Sequence, residues 1–369
     1  MIRLNVPDVD SCELEQIRAV LESGYLTQGP KVAEFERVVA RYVGCDSAFA
    51  MSSCTTALHL ALVVLGVERG DEVVVADFTF PATANVVVQQ GAVPVLADIS
   101  LETFTIDPQD MQQRITDKTR AIIVVDTFGC PADMDAVRAI ADPRGIPVIE
   151  DAACAIGSSY KGRHCGSLSA LGCFSFHPRK VITTGEGGMI TTSDAALAAR
   201  ISLLRSHGGV RTGAWFSYEE AGFNYRMSDI QGAMGISQME KLPGLIARKR
   251  TLAARLRDLL RPIPCVTPPR EPSWGGHIYQ SFVILLEEGT DRNRLVSDMR
   301  ARGVETTLGT YALHDQPFYR RRFGYTSGQL PRSHAAFERS VTLPLYPRMS
   351  DEDLRAIAAA LSECIEAQA

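Results

Sequence analysis

Residues 121–151, AIIVVDTFGCPADMDAVRAIADPRGIPVIED, read as a strand, a helix over 133–141 and a second strand. Both strand candidates are short, continuous β-branched runs, the pattern of strands covered on both faces in a parallel sheet. The same alternation extends outward on either side. EVVVAD at 72–77 and PVLAD at 94–98 flank a helix over 82–90, and CFSF at 173–176 and GMITT at 188–192 follow. The sequence therefore predicts an α/β fold with a largely parallel sheet between helices. Ligands of such sheets sit beyond the carboxyl ends of the strands. Asp77, Asp98, Asp126 and Asp151 all fall at strand ends, so an acid there follows from topology, and most are expected to cap turns and helices. Asp151 is set apart by the small residues after it, AACAIG, which leave room for something planar. A buried carboxylate needs a cationic partner, and on these residues a protonated heterocyclic nitrogen and a structural salt bridge both remain open.

One amine stands out beyond the alternation. FSFHPRKVITTGEGGMITT, residues 174–192, carries Lys180 between two β-rich runs, followed by a threonine pair and by Gly185, Gly187 and Gly188. An ordinary lysine is protonated and exposed. Desolvation between core strands, or a neighbouring cation, would make it a nucleophile able to form a Schiff base. The glycines favour that reading over a plain hairpin loop, because they let a ligand approach the backbone closely. Nearer the N-terminus, a strand over 47–51 feeds SSCTTALHLAL, residues 52–62, where hydroxyl residues stand before an apolar helix. The unpaired N–H groups of a first helical turn, with the helix dipole, make an anion site. A simple N-cap by Ser53 or Thr55 accounts for the same residues.

The chain has 369 residues, of which 46% are hydrophobic and 22% charged, ordinary values for a globular chain with room for a large and a smaller domain. A net charge of -5 disfavours nucleic-acid binding as the main activity. Nine cysteines occur without zinc-type spacing, so no structural metal is expected and reduced thiols are. MIRLNVPDVD carries no basic-then-apolar leader, and the longest apolar run, 57–67, is too short to span a bilayer. A cytoplasmic location with no membrane partner is the expectation. Helices over 13–23 and 31–42 read as framework. After residue 244 a helix over 247–260, a proline-rich loop, HIYQSFVILL, a helix over 292–302, VETTL and a terminal helix suggest a small α+β domain. The division drawn is 1–244 and 245–369.

Seven segments in order, SGYLTQGPKVAEFE, SSCTTALHLAL, FTFPATANVV, VIEDAACAIGSSYKG, FSFHPRKVITTGEGGMITT, GFNYRMSDIQGAMGISQMEKL and LPLYPRMSDED, resemble the DegT/StrS-type nucleotide-sugar aminotransferases. That family is a branch of the fold type I enzymes that use pyridoxal 5'-phosphate (PLP). The resemblance implies a mostly parallel seven-stranded sheet with a smaller C-terminal α+β domain. It implies that Lys180 forms the Schiff base with PLP and that Asp151 pairs with the protonated pyridine nitrogen. Phe80 matches the aromatic on one face of the ring, and Thr55, Thr56 and Ser175 match the phosphate-binding positions. Asn224 matches the asparagine that reaches the phosphate of a neighbouring subunit, which implies a homodimer with a shared site. Cys154 stands where glutamine or histidine commonly contacts the phenolic oxygen, and Cys54 stands where the phosphate turn usually has glycine. Tyr311 and His314 lie in the region that approaches the sugar. The implied reaction moves an amino group, from L-glutamate, to a ketone on a nucleotide-linked sugar. The alternatives are a PLP-dependent sugar dehydratase of the same superfamily, disfavoured by the retained lysine, and a non-catalytic regulatory protein on the same scaffold.

Overall fold

The computed structural model describes residues 1–368. Helices α1 (Ser11–Ser23) and α2 (Pro30–Val43) lead into β1 (Ser47–Met51) and α3 (Cys54–Val64). The alternating region follows as β2 (Glu72–Ala76), β3 (Phe78–Thr79), α4 (Ala82–Gln89), β4 (Val93–Ala97), α5 (Pro108–Arg114), β5 (Thr119–Val125), α6 (Met134–Ala141) and β6 (Val148–Asp151). Next come β7 (Ser159–Tyr160), β8 (Arg163–His164), β9 (Leu171–Ser175), β10 (Gly188–Thr192) and α7 (Ala195–Arg205). A hairpin of β11 (Gly209–Thr212) and β12 (Trp215–Tyr218) precedes α8 (Asp229–Leu260). The remainder is β13 (Val266–Thr267), β14 (Gly275–Gly276), β15 (Phe282–Leu286), α9 (Arg292–Ala301), β16 (Thr307–Leu308), β17 (Tyr311–Ala312), α10 (Pro317–Phe323), α11 (Pro331–Arg339), β18 (Ser340–Leu343) and α12 (Asp351–Glu366). No helix among the described residues is long and apolar enough to cross a membrane.

The central sheet has seven strands in the order β1-β10-β9-β6-β5-β2-β4. β4, β2, β5, β6 and β9 are parallel neighbours, and β10 runs antiparallel to both β9 and β1. Side chains alternate between the faces of each strand. Val74, Ile122, Val124 and Phe174 pack with Phe35, Val39, Met134 and Val137 of α2 and α6. Val73, Val75, Ile123, Ile149 and Cys173 pack with Leu58, Leu62 and Val86 of α3 and α4. The same parity sends Asp151 and Ser175 to the α3/α4 side and Glu150 to the other. There Glu150 is fully buried and accepts the N–H groups of Gly166 and Leu168, each at 2.7 Å. Burial pushes its carboxyl up to about 7.

The smaller sheet, β13-β15-β18-β16, is antiparallel throughout, and its core draws on residues from Leu252 to Ile365. We propose residue 244 as the division between the two units, although Ile278, Val283 and Ala336 from beyond it pack into the first unit's core. The helix expected over 247–260 is the second half of α8, which begins at Asp229 and runs unbroken past Pro243. A proline inside a helix costs about 3 kcal/mol. The buried side chains of Leu242, Leu245 and Leu252 and the Ser228/Gln231 capping box offset that cost.

Among the glycines after Lys180, packing requires Gly188. Gly185 turns at φ +81° in open space, whereas a Cβ on Gly188 would stand 2.4 Å from the Ser53 carbonyl carbon and 2.5 Å from the Cys54 nitrogen. Only a bare backbone lets β10 lie against the first turn of α3. Since backbone on both sides must move, Gly188→Ala is expected to destabilise the fold by about 1–3 kcal/mol. The check is a lower midpoint of chemical denaturation at unchanged slope. An unaltered midpoint would mean that strand and helix separate freely.

Candidate active site

β6 ends in Asp151, which is 5% exposed. Thr83 Oγ1, in the first turn of α4, donates to Asp151 Oδ2 at 2.7 Å, and the Ala153 N–H donates to Oδ1 at 3.2 Å. The Thr79 hydroxyl lies 3.1 Å from that of Thr83, so the FTFPAT turn is tied to the acid through two hydroxyls. Burial pushes the Asp151 carboxyl up, opposed by the Thr83 hydrogen bond, the Ala153 N–H and the charge of Lys180. Two neutral donors hold it among the described residues, and no cation touches it. Sequence reasoning missed Thr83. Its position three residues after Phe80, where a helix starts, is the signal that was available.

Lys180 lies in the loop that joins β9 to β10. That loop is closed by Thr183 Oγ1 and the Thr184 N–H, which both donate to the Phe176 carbonyl, and the Lys180 N–H donates to His177 O at 2.8 Å. The half-buried side chain places Nζ 3.0 Å from Cys154 Sγ, in the turn just after Asp151. Burial pushes the amine down, but the sulfur and the negative charge of Asp151 outweigh it, and the net direction is up. The desolvation expected from sequence is thus present and is balanced by its surroundings.

The SSCTT turn caps α3. Ser53 Oγ accepts the Thr56 N–H at 3.1 Å, and Thr56 Oγ1 donates to the Ser53 carbonyl at 2.8 Å. Both donors of Thr56 are therefore spent on the cap. Thr55, at the second position of the helix, has a hydroxyl with no hydrogen-bond partner among the described residues. The N-cap reading holds for Ser53, and the Thr55 hydroxyl is left over from it. Ser175, at the end of β9, is opposite Gly188, and Gly188 abuts Ser53 and Cys54, which brings the Ser175 hydroxyl to the same corner. Burial pushes the Cys54 thiol well up, so it sits there as a small neutral group.

Phe80 is 66% exposed, so it is not a packed core ring. Tyr311 is half-buried on β17, directly opposite Thr79 of β3, with its ring 6.3 Å from that of Phe337. His314, expected to approach substrate, does not face open space. It is 0% exposed, its backbone N–H donates to Asp77 Oδ1 at 2.7 Å, and its Nδ1 lies 2.6 Å from Asp77 Oδ2. The acid at the end of β2 draws it inside, a pairing that sequence distance concealed. Asn224 is exposed, on a segment whose next residue, Tyr225, accepts the Ser52 N–H at 2.8 Å.

At the carboxyl ends of β6 and β9 there stand a buried acid without a cation, an amine without a carboxylate contact, a helix N-terminus with a free hydroxyl, and an open aromatic ring. That donor set fits a phosphorylated aromatic cation that also bears a carbonyl.

A model of the DegT/DnrJ/EryC1/StrS aminotransferase family matches residues 7–362. The spore coat polysaccharide biosynthesis protein SpsC of Bacillus subtilis (strain 168) is 35% identical over 375 residues, covering 98% of this chain and 96% of SpsC. Among solved structures, the PLP form of Spr1654 from Streptococcus pneumoniae is similar with a TM-score of 0.95 at 28% identity, over 100% of this chain and 99% of that one. Helicobacter pylori PseC, an aminotransferase involved in the biosynthesis of pseudoaminic acid, has a TM-score of 0.95 at 26% identity, over 99% of each chain.

Proposed function

This chain belongs to the DegT/DnrJ/EryC1/StrS aminotransferase family, and from that premise we infer that it moves an amino group from L-glutamate to the keto group of a nucleotide-linked sugar, with PLP as cofactor. The family and the PLP form of Spr1654 imply the cofactor. The observation that carries the reading is Lys180 Nζ held by Cys154 in the turn that follows the buried Asp151.

When bound, PLP supplies an electron sink for the charge left by removal of the substrate α-proton. Asp151 holds the proton on the ring nitrogen, and the dry site that pushes its own carboxyl up strengthens that ion pair. Lys180 Nζ would hold the cofactor's carbonyl carbon, and as a free amine it would be the base that carries the substrate's α-proton. Thr55, the first-turn N–H groups of α3 and Ser175 hold the phosphate. Phe80 covers one face of the ring. Cys154 steadies the amine at 3.0 Å.

A second copy of the chain completes the site in this reading. Val210 and Trp215 stand on one face of the β11–β12 hairpin and Phe216 and Tyr218 on the other, all four exposed and Trp215 at 79%, so the hairpin offers apolar side chains of the kind that mark an interface. Asn224 is exposed a few residues beyond it.

Thr83→Val removes the shortest hydrogen bond to Asp151 and keeps the volume. A hydrogen bond to a charged group is worth about 1.5–3 kcal/mol, so cofactor dissociation is expected to rise about 10- to 100-fold. Equal retention of cofactor by variant and parent on dialysis would remove Thr83 from the site. The reaction itself is tested by adding L-glutamate to the yellow protein and then a panel of nucleotide-linked keto-sugars. Loss of the yellow band with glutamate, and its return with one keto-sugar as an amino sugar appears, is the expected result. A dehydrated sugar as product, or no spectral response to any amino acid, would overturn it.

A further inference from the structure

Three side chains outside this site converge below the β17 turn. His334 Nδ1 of α11 lies 2.6 Å from Asp315 Oδ2, and His314 Nε2 lies 3.6 Å from the same oxygen. The candidate ligand atoms of all three residues fall within 4.8 Å of one another. His314 Nε2 is buried and has no hydrogen-bond partner. Its other nitrogen is committed, because Nδ1 faces the Asp77 carboxylate at 2.6 Å and an ionised carboxylate only accepts. Nδ1 thus carries the proton, and Nε2 points toward Asp315 at a distance too long for a hydrogen bond. A lone pair there would face another acceptor with nothing between them.

We propose that His314, Asp315 and His334 form a binding site for one divalent metal ion of the zinc class, which clamps the 313–315 turn and α11 to the end of β2. Two ligands on a tetrahedral zinc, with bonds of about 2.0–2.1 Å, stand about 3.3 Å apart, close to the His314–Asp315 separation. The His334–Asp315 contact must open by about 0.7 Å to reach the same spacing. His334 is free to move, since its side chain is 43% exposed and lines an open groove with Asp291, Asn293 and Glu338. The groove admits the ion and the water that supplies a fourth ligand. The outer contacts are those of a metal site. Asp77 orients the His314 ring from behind, and Ser327 Oγ donates to Asp315 Oδ1 at 2.8 Å. Two imidazoles and a carboxylate suit borderline metals and not magnesium or calcium. Cysteine and histidine spacing did not reveal this site because its ligands come from two different elements.

The test uses the full chain with its cofactor, stripped of metal by a chelator and titrated with Co²⁺, whose visible bands lie beyond the cofactor's absorption. One equivalent is expected to give a tetrahedral cobalt spectrum, to be displaced by Zn²⁺, and to raise the melting temperature. His334→Ala is expected to bind about 100-fold more weakly and to lose the thermal shift, while Cys12→Ser, which removes an exposed thiol, binds as the parent does. Equal binding by His334→Ala would place the metal elsewhere. A parent protein that takes up neither ion would overturn the proposal and leave His314 as an imidazolium between two carboxylates.

Discussion

The Lys180→Ala protein is expected to purify without a cofactor that borohydride can fix, and to lose about 10⁴-fold of its turnover. Both losses follow from one atom. Nζ reaches from the β9–β10 loop to the turn after β6, where its polar contact is Cys154 Sγ at 3.0 Å, so removing it takes away both the attachment and the proton transfer. Mass spectrometry after reduction reads the first loss, and conversion of a keto-sugar reads the second. Alanine leaves the fold's cap and strand contacts alone, since the loop is closed by Thr183, Thr184 and backbone groups. A small added amine should restore part of the turnover, because it replaces the base without the tether. Turnover near the parent value with no amine present would remove Lys180 from the chemistry.

Asp151→Asn tests the other half of the pair and is expected to lower kcat about 10²- to 10⁴-fold, since breaking a buried ion pair costs about 3–5 kcal/mol. The shape is preserved, and the amide oxygen still accepts the Ala153 N–H. Stability separates this loss from misfolding. In the cofactor-free protein, burial raises the Asp151 carboxyl above its unfolded value. The native state therefore binds more protons in that window, and stability falls as pH rises from about 4 through the folded value. The asparagine variant lacks this group, so its cofactor-free form should decline less steeply, the rest coming from buried carboxyls such as Glu150, and melt no lower than the parent near neutral pH. Saturating cofactor should stabilise the parent by more than the variant. A variant with full kcat, or one whose free form is markedly less stable, would end the assignment of Asp151 as the ring's counter-charge.

The elements that carry these residues were legible because they are local. Continuous β-branched runs at 72–77, 121–126 and 146–151 marked strands buried on both faces, and all of them lie in one sheet. The lysine segment is legible through its neighbours, and Gly188 within it makes room for the α3 backbone. Thr55 and Thr56 read alike as a pair, and only the cap distinguishes them, by spending one hydroxyl and leaving the other. The family resemblance puts His314 in the region that approaches the sugar. Its Asp77 partner, 237 residues away, holds it inside instead.

Sequence by itself determined the alternation of elements, the strand-end position of Asp151 and the isolation of Lys180, since periodicity and turn chemistry act over a few residues. Tertiary structure alone decided which groups answer one another. Asp229 caps α2 by accepting the Gly29 and Val32 N–H groups from 200 and 197 residues away. Thr83 reaches Asp151 across 68 residues, and adjacent Glu150, on the opposite face, anchors the 166–168 loop. A buried polar group must find a partner wherever the fold provides one, and nothing in the spacing along the chain specifies where that is.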